Sequence, residues 1–187
     1  MWFILGNYCD GITRNAVTGQ CDAGYFCRES AILQQPADDT STPKKFGICP
    51  PGGYYCVQGS VSPEPCPPGT YAPGNKKQLK AVSECDPCPA GSYCAAGNQT
   101  VVSGPCSAGY YCNRGSPDMA PVNITYGGIC PPGTRCPAGT RSPIPCSAGT
   151  YNNYSGQATC KECPQGFYCP ANSTYPIDCP SGYWCEK

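Results

Sequence analysis

Nineteen cysteines in 187 residues, recurring on a period rather than at random, constrain this chain more than any other feature. One series runs Cys49, Cys56, Cys66, Cys85, Cys88, Cys94, Cys106 and Cys112. A second runs Cys130, Cys136, Cys146, Cys160, Cys163, Cys169, Cys179 and Cys185, each displaced from its counterpart by 73 to 81 residues. Self-similarity at such a period signals a tandem-repeat architecture. Cys9, Cys21 and Cys27 match the last three members of a series, since eleven residues separate Cys9 from Cys21 as eleven separate Cys94 from Cys106. The spacing divides the chain into a partial repeat over residues 1–48, a full eight-cysteine repeat over 49–129, and a second eight-cysteine repeat, shortened at its end, over 130–187. The odd cysteine follows from starting mid-repeat, and its partner is expected upstream or on another chain.

Composition says why cysteines are needed. Val, Ile, Leu and Phe supply 22 residues, about 12%, which cannot fill a conventional core. Disorder would expect a large net charge, whereas 12 basic residues balance 12 acidic ones. Cross-links therefore replace buried apolar area, each bridge closing a loop of 10 to 20 residues being worth roughly 3 kcal/mol in the chain-entropy model. Disulfides persist in oxidising compartments, so an extracellular or cell-surface location is expected. Four Asn-x-Ser/Thr sequons, at Asn98, Asn123, Asn153 and Asn172, agree and are expected to carry N-linked glycans. The apolar start Met1, Trp2, Phe3, Ile4, Leu5 is too short for a membrane span or the apolar stretch of a signal peptide, so the chain reads as a segment of a longer secreted precursor.

A smaller motif, Cys-x-x-Gly followed by an aromatic, punctuates both repeats, as in Cys66-Pro-Pro-Gly-Thr-Tyr71 and Cys163-Pro-Gln-Gly-Phe-Tyr-Cys169; Cys130-Pro-Pro-Gly-Thr-Arg135 lacks the aromatic. Proline at the first central position and glycine with positive φ predict a type II turn, from which a short strand departs. The aromatics Tyr25, Phe26, Tyr55, Tyr71, Tyr93, Tyr111, Tyr151, Tyr168 and Trp184 are expected to lie over the bridges. Ser/Pro stretches between motifs favour extended backbone and serve as spacers or as carriers of O-linked sugars. Weak helical character is confined to residues 28–35. The fold class expected is a small disulfide-rich one, mostly irregular with short β-hairpins, forming an elongated tandem-repeat rod without a conventional hydrophobic core.

The succession Cys-Pro-x-Gly-Tyr-Tyr-Cys, Gly-Ser/Thr-x-Ser-Pro, Cys-Pro-x-Gly-Thr-Tyr and Cys-x-x-Cys-Pro-x-Gly-x-Tyr-Cys resembles the ephrin-receptor-like cysteine-rich repeats. These are found in surface and mastigoneme-type filament glycoproteins of algae and other protists, and the resemblance spans Cys9 to Cys185. It implies an extracellular module without specifying what the module does. The Cys-Pro-x-Gly-x-Tyr loop is also similar to the first half of a tumour necrosis factor receptor module, which implies the pairs Cys66–Cys85 and Cys146–Cys160. The remaining cysteines admit local pairs, such as Cys88–Cys94, Cys106–Cys112, Cys163–Cys169 and Cys179–Cys185, or interlocked ones such as Cys88–Cys106 and Cys94–Cys112. The local pattern leaves Cys9 unpaired; the interlocked one leaves Cys21.

Catalytic chemistry has little to stand on. Histidine is absent, and Asp38-Asp39 is the one adjacent acidic pair, in a polar loop where solvation is its expected role. Cys85-x-x-Cys88 and Cys160-x-x-Cys163 have zinc-knuckle spacing, but an oxidising compartment favours bridges over metal. No metal, cofactor or nucleic-acid partner is expected: no loop has the spaced acidic run of a calcium site, and Lys44-Lys45 and Lys76-Lys77 are isolated pairs. No membrane span is expected in this segment either.

The expected function is therefore non-catalytic: a structural extracellular glycoprotein, the building block of a filament or surface coat. Self-association through Cys9 and the apolar residues Trp2, Phe3 and Ile4 is its expected mode of assembly. The alternative is a receptor or adhesion stalk that binds a protein or glycan through the insertions at residues 28–48 and 113–129.

Overall fold

The computed structural model describes residues 5–9, 17–29, 31–182 and 185. Trp2, Phe3, Ile4 and Trp184 lie outside the described residues. Two compact units divide the chain: Met1–Asp86 with Ala96–Val101, and Pro87–Ala95 with Val102–Lys187. The division falls inside the sequence repeat of residues 49–129.

The described residues form nine two-stranded sheets whose strands are two or three residues long. In seven of the eight hairpins with defined register the two strands run up to or into consecutive cysteines, as Thr134↔Pro145 does before Cys136 and Cys146; Thr150↔Glu162, with one strand inside the loop closed by Cys146–Cys160 and the other just past it, is the exception. The two three-residue hairpins stand at equivalent places in the repeat. Tyr25–Cys27 pairs with Phe46–Ile48, and Tyr110–Cys112 pairs with Gly127–Ile129, each spanning one of the insertions. A single 3-10 turn, Val82–Glu84, is the helical element of the described residues.

The weak helix expected over residues 28–35 is not formed. The backbone groups there are committed elsewhere: the Cys9 amide donates to the Ala31 carbonyl at 2.9 Å, the Asp22 amide donates to the Gln34 carbonyl at 3.1 Å, and the Arg28 and Glu29 amides donate to Lys45. Cys9 thereby takes the Ala31 carbonyl to which the Gln35 amide would donate in a helix. The Arg28 and Glu29 amides and the Gln34 carbonyl, which a helix would leave without an internal partner, are satisfied by residues outside the segment.

Nine disulfides hold the chain: Cys21–Cys27, Cys49–Cys56, Cys66–Cys85, Cys88–Cys94, Cys106–Cys112, Cys130–Cys136, Cys146–Cys160, Cys163–Cys169 and Cys179–Cys185. Of the two patterns left open by the sequence, the structure has the local one. Cys85 and Cys88 belong to different bridges, as do Cys160 and Cys163, so neither Cys-x-x-Cys is a zinc knuckle. Cysteines make up most of the buried apolar residues. In the first unit they are supplemented by three small clusters: Cys66, Ala72, Leu79 and Cys85 under Tyr55; Cys21, Cys27 and Ala31 under Tyr8 and Phe46; and Phe26, Cys49 and Cys56 under Tyr54. Tyr55 and Phe26 thus meet bridges as expected. Tyr93 and Tyr111 have a further role, each ring lying against the cross-strand glycine, Gly104 or Gly128, where no side chain competes for the space.

Most of the Cys-x-x-Gly turns are closed by an i→i+3 bond that begins one residue after the cysteine, as from the Thr70 amide to the Pro67 carbonyl at 3.0 Å and from the Thr150 amide to the Ser147 carbonyl at 3.0 Å. The residue after the cysteine therefore stands at position i. Where two prolines follow the cysteine of a turn closed in this way the second, Pro68 or Pro132, takes the first central position as expected, and glycine occupies the third position with φ near the +80° that a type II turn requires, +83° at Gly69 and +80° at Gly149. A hydroxyl after the glycine doubles this bond: Thr70, Thr134 and Thr140 Oγ1 donate to the same carbonyl at 2.6 Å.

The structure also shows a second set of these turns, at the cysteines that close a disulfide loop: Cys56-Val-Gln-Gly59, Cys112-Asn-Arg-Gly115, Cys136-Pro-Ala-Gly139 and Cys169-Pro-Ala-Asn172, where Asn172 takes φ +64° in place of glycine. Each bonds reciprocally to the opening turn of the preceding loop. Gly24 N–H donates to Cys56 O and Gly59 N–H to Cys21 O, both at 2.8 Å. Gly91 pairs likewise with Cys112 and Gly115 with Cys88 (2.9 and 2.8 Å), and Gly109 with Cys136 and Gly139 with Cys106 (2.8 Å each). Gly149 with Cys169 and Asn172 with Cys146 complete the series (2.8 and 2.7 Å). The opening cysteine of the following loop then donates to the glycine carbonyl, as Cys130 N–H does to Gly109 O at 2.9 Å. These clasps use backbone groups alone, and they join four pairs of consecutive loops.

Candidate modification and interaction sites

Asn98 is exposed, with φ +56°, and its Nδ2 donates to Tyr54 Oη at 2.8 Å. Asn153 is half-buried, and its Oδ1 accepts from Lys161 Nζ at 3.0 Å; the same ammonium lies over the rings of Tyr151 and Tyr154, 5.9 and 5.1 Å from their centroids. Asn172 is exposed, but its backbone is the left-handed corner of a clasp and the central residue of its sequon, Ser173, is buried with its hydroxyl on Pro170 O at 2.6 Å. Asn123 sits at the tip of the second insertion, exposed, with its Oδ1 accepting the Thr125 amide at 3.0 Å in an Asx turn.

The Ser/Pro stretches are not uniform spacers. Ser60, Ser116 and Thr140, each next to a clasp residue, are buried. Ser116 Oγ donates to Asp118 O at 2.8 Å and Thr140 Oγ1 to Pro137 O, so these hydroxyls face inward and offer no attachment point for sugar in the folded chain.

The first insertion is organised by the acidic pair whose expected role was solvation. Asp38 takes Lys44 Nζ at 2.7 Å on one carboxylate oxygen and the Ile48 amide at 3.0 Å on the other. The Lys44 hydrogen bond holds its carboxyl below the usual carboxylate range. Asp39 accepts from the Ser41 hydroxyl and the Lys45 amide, the first being the larger cause of its own lowered pKa. Lys45 further pairs with Glu29, and Lys76 with Asp86 at 2.7 Å, so the basic pairs tie loops together. Sequence spacing offered no signal for these contacts, which depend on how the loop returns to its hairpin.

Both insertions display apolar side chains. Ile32 and Leu33 are exposed beside Pro36 and Phe46 in the first, and Met119, Val122, Ile124 and Tyr126 in the second. A polar cleft of about 410 Å³ lies nearby in the first unit, lined by Asp22, Tyr25, Gln35, Gln58, Gln78 and Lys80. The Asp22 carboxylate is held by Gln34 and Gln35 Nε2 at 2.6 and 2.7 Å.

A buried polar side chain that sequence reasoning did not single out is Asn152, fully enclosed and equivalent in position to Ala72 of the previous repeat. Its Nδ2 donates to Thr134 O at 2.8 Å and Thr159 O at 3.0 Å, fastening the loop closed by Cys146–Cys160 where the first repeat packs Ala72 and Leu79. Cys9 is the free cysteine, half-buried.

Among the described residues no helix is long and apolar enough to cross a membrane, and no group of three or more His, Cys, Asp or Glu side chains is placed to hold a metal. Nine disulfides in a chain of this size are typical of secreted and cell-surface proteins. The chain matches no family model and no curated protein.

Proposed function

We propose that this chain is a structural extracellular glycoprotein, a non-catalytic building block from which a filament or cell-surface coat is assembled. The observation that carries the reading is the recurring clasp. Because the joint between loops is made by the Cys carbonyl and Gly amide of one turn and their counterparts in the next, it is self-complementary and indifferent to the side chains around it. Such a joint can recur without limit along a chain, which is what a stacked array of small modules requires. The resemblance to ephrin-receptor-like cysteine-rich repeats points to the same class of material. The test is assembly: the purified, glycosylated chain is expected to associate in light scattering as its concentration rises and to give fibres or sheets in electron microscopy. A chain that stays monomeric and forms neither refutes the proposal.

A receptor or adhesion stalk is the second reading, favoured by the two insertions and their exposed apolar residues. Under it, deletion of residues 28–48 or 113–129 abolishes partner binding with the disulfides intact, and unchanged binding in both deletions removes it.

A further inference from the structure

The tip of the second insertion is rigid, yet it holds apolar groups out into water. Asn113 Nδ2 donates to Ile124 O at 3.1 Å and Thr125 O at 3.2 Å, the Asn113 amide donates to Tyr126 O at 2.9 Å, and the Tyr126 amide donates to Asn123 O at 2.8 Å. These bonds hold the turn in which Val122 and Ile124 face water, the two being the most exposed large apolar side chains of the described residues, 96% and 81%. The residue between them is a sequon asparagine. Its Oδ1 is fixed by the Thr125 amide, and its Nδ2 has no hydrogen-bond partner among the described residues. The other three sequon asparagines are differently placed: Asn98 Nδ2 is on Tyr54, the Asn153 carboxamide is on Lys161, and Asn172 forms the corner of a clasp.

We propose that Asn123 is the principal glycan attachment site of this chain, and that the first sugars of its N-linked oligosaccharide are the cover for Val122 and Ile124. This rests on the reading of the chain as an extracellular glycoprotein. In the attachment step the donor is an oligosaccharide on a polyprenyl diphosphate: the Asn123 Nδ2–C1 bond forms, the C1–O bond to the diphosphate breaks, the amide gives up one proton and the lipid diphosphate departs with the electron pair. A pyranose ring carries C–H groups on one face and hydroxyls on its rim. Anchored at Nδ2, it can lay the C–H face on the flanking methyl groups and keep its hydroxyls hydrated, so that apolar surface leaves water without a protein partner.

The experiment uses the full chain secreted from a eukaryotic host, with site-resolved mass spectrometry of its glycopeptides. Asn123 is expected to be occupied in most molecules. Thr125→Ala, which removes the sequon but keeps the Asn123 side chain and the Thr125 backbone amide, is expected to lose one glycan and to bind an apolar fluorescent dye several-fold more strongly. Adding Val122→Ser and Ile124→Ser returns dye binding to the wild-type level. Enzymatic removal of glycans from the folded wild-type chain gives the same rise, should the variant fail to be secreted. Asn123 bare in a chain that is glycosylated elsewhere overturns the proposal alone, as does occupancy with no dye response in either experiment. All four sequons bare overturns it together with the glycoprotein reading.

Discussion

Gly109→Ala tests whether the clasps, and not the bridges alone, hold consecutive loops together. Gly109 has φ +85°, and a Cβ built there collides with the backbone carbonyl oxygen of Gly156. A non-glycine residue in the left-handed region costs about 1–2 kcal/mol. The contact adds to this, because a backbone carbonyl cannot rotate aside as a flexible side chain would; forced overpacking of this kind costs about 1–3 kcal/mol. The total is about 2–5 kcal/mol, directed at the Gly109 N–H to Cys136 O and Cys130 N–H to Gly109 O bonds. Gly166→Ala is the control, since its φ is +82° and a Cβ there meets nothing within 4 Å. It carries the backbone cost alone, about 1–2 kcal/mol. The entropy each alanine removes from the unfolded chain is common to both variants and cancels. The difference, about 1–3 kcal/mol, corresponds to roughly 5- to 150-fold in the local opening equilibrium. Native-state hydrogen exchange reads it directly. The Cys130 and Gly139 amides are expected to exchange roughly 5- to 150-fold faster in Gly109→Ala than the Cys179 amide, bonded to Gly166 O, does in Gly166→Ala, each relative to wild type. Equal acceleration would show that the close approach to Gly156 is not a constraint and would refute the reasoning.

Two other substitutions probe the loops. Asn152→Ala leaves the buried Thr134 carbonyl and the Thr159 carbonyl without their donor and is expected to destabilise the second unit by about 1–3 kcal/mol, seen as a lower Tm with all disulfides intact; an unchanged Tm would mean that both carbonyls find other partners. For Asp38 the folded pKa lies below its ordinary value of 3.8, so its contribution is fully present above that pH and is lost as the pH falls through the lower folded value. Both partners of the Lys44 pair are about half exposed, which keeps the effect under about 1 kcal/mol. The Ile48 amide, which donates to Asp38, should exchange from a more open loop below about pH 3.8 and lose that pH dependence in Asp38→Asn, with a pH-independent opening as the contrary result.

The bridges and the turns were legible in the sequence for a chemical reason: cysteine and positive-φ glycine have few structural uses, so their spacing carries geometry. Cys66–Cys85 and Cys146–Cys160 follow a resemblance, and the short loops left only two patterns to choose between. The second set of turns carries no aromatic to mark it, although Cys112-Asn-Arg-Gly115 and Cys136-Pro-Ala-Gly139 repeat the same cysteine-to-glycine spacing. Asn172, a sequon asparagine standing where glycine is usual, hid the same turn under a different chemistry. The contacts of Asp38, Asp39 and Asn152 were not legible at all. Each depends on a loop that returns to its own hairpin, and nothing local specifies which carbonyl or amide will be within reach.

The clasps also account for how so small an apolar content suffices. A disulfide across a six-residue separation restrains its own loop but says nothing about where the next loop lies. Order between loops must come from contacts, and here it comes from paired backbone bonds at sites where glycine allows two chains to approach with no side chain between them. Bridges therefore set the shape of each loop, and at four of the junctions clasps set its relation to its neighbour. Neither draws on large apolar side chains, which leaves the outward residues of the two insertions without a packing role. That is why exposed side chains such as Ile32, Leu33, Val122 and Ile124 can be displayed at loop positions without a cost to the scaffold, and why changes in them should alter what the surface contacts before they alter the fold.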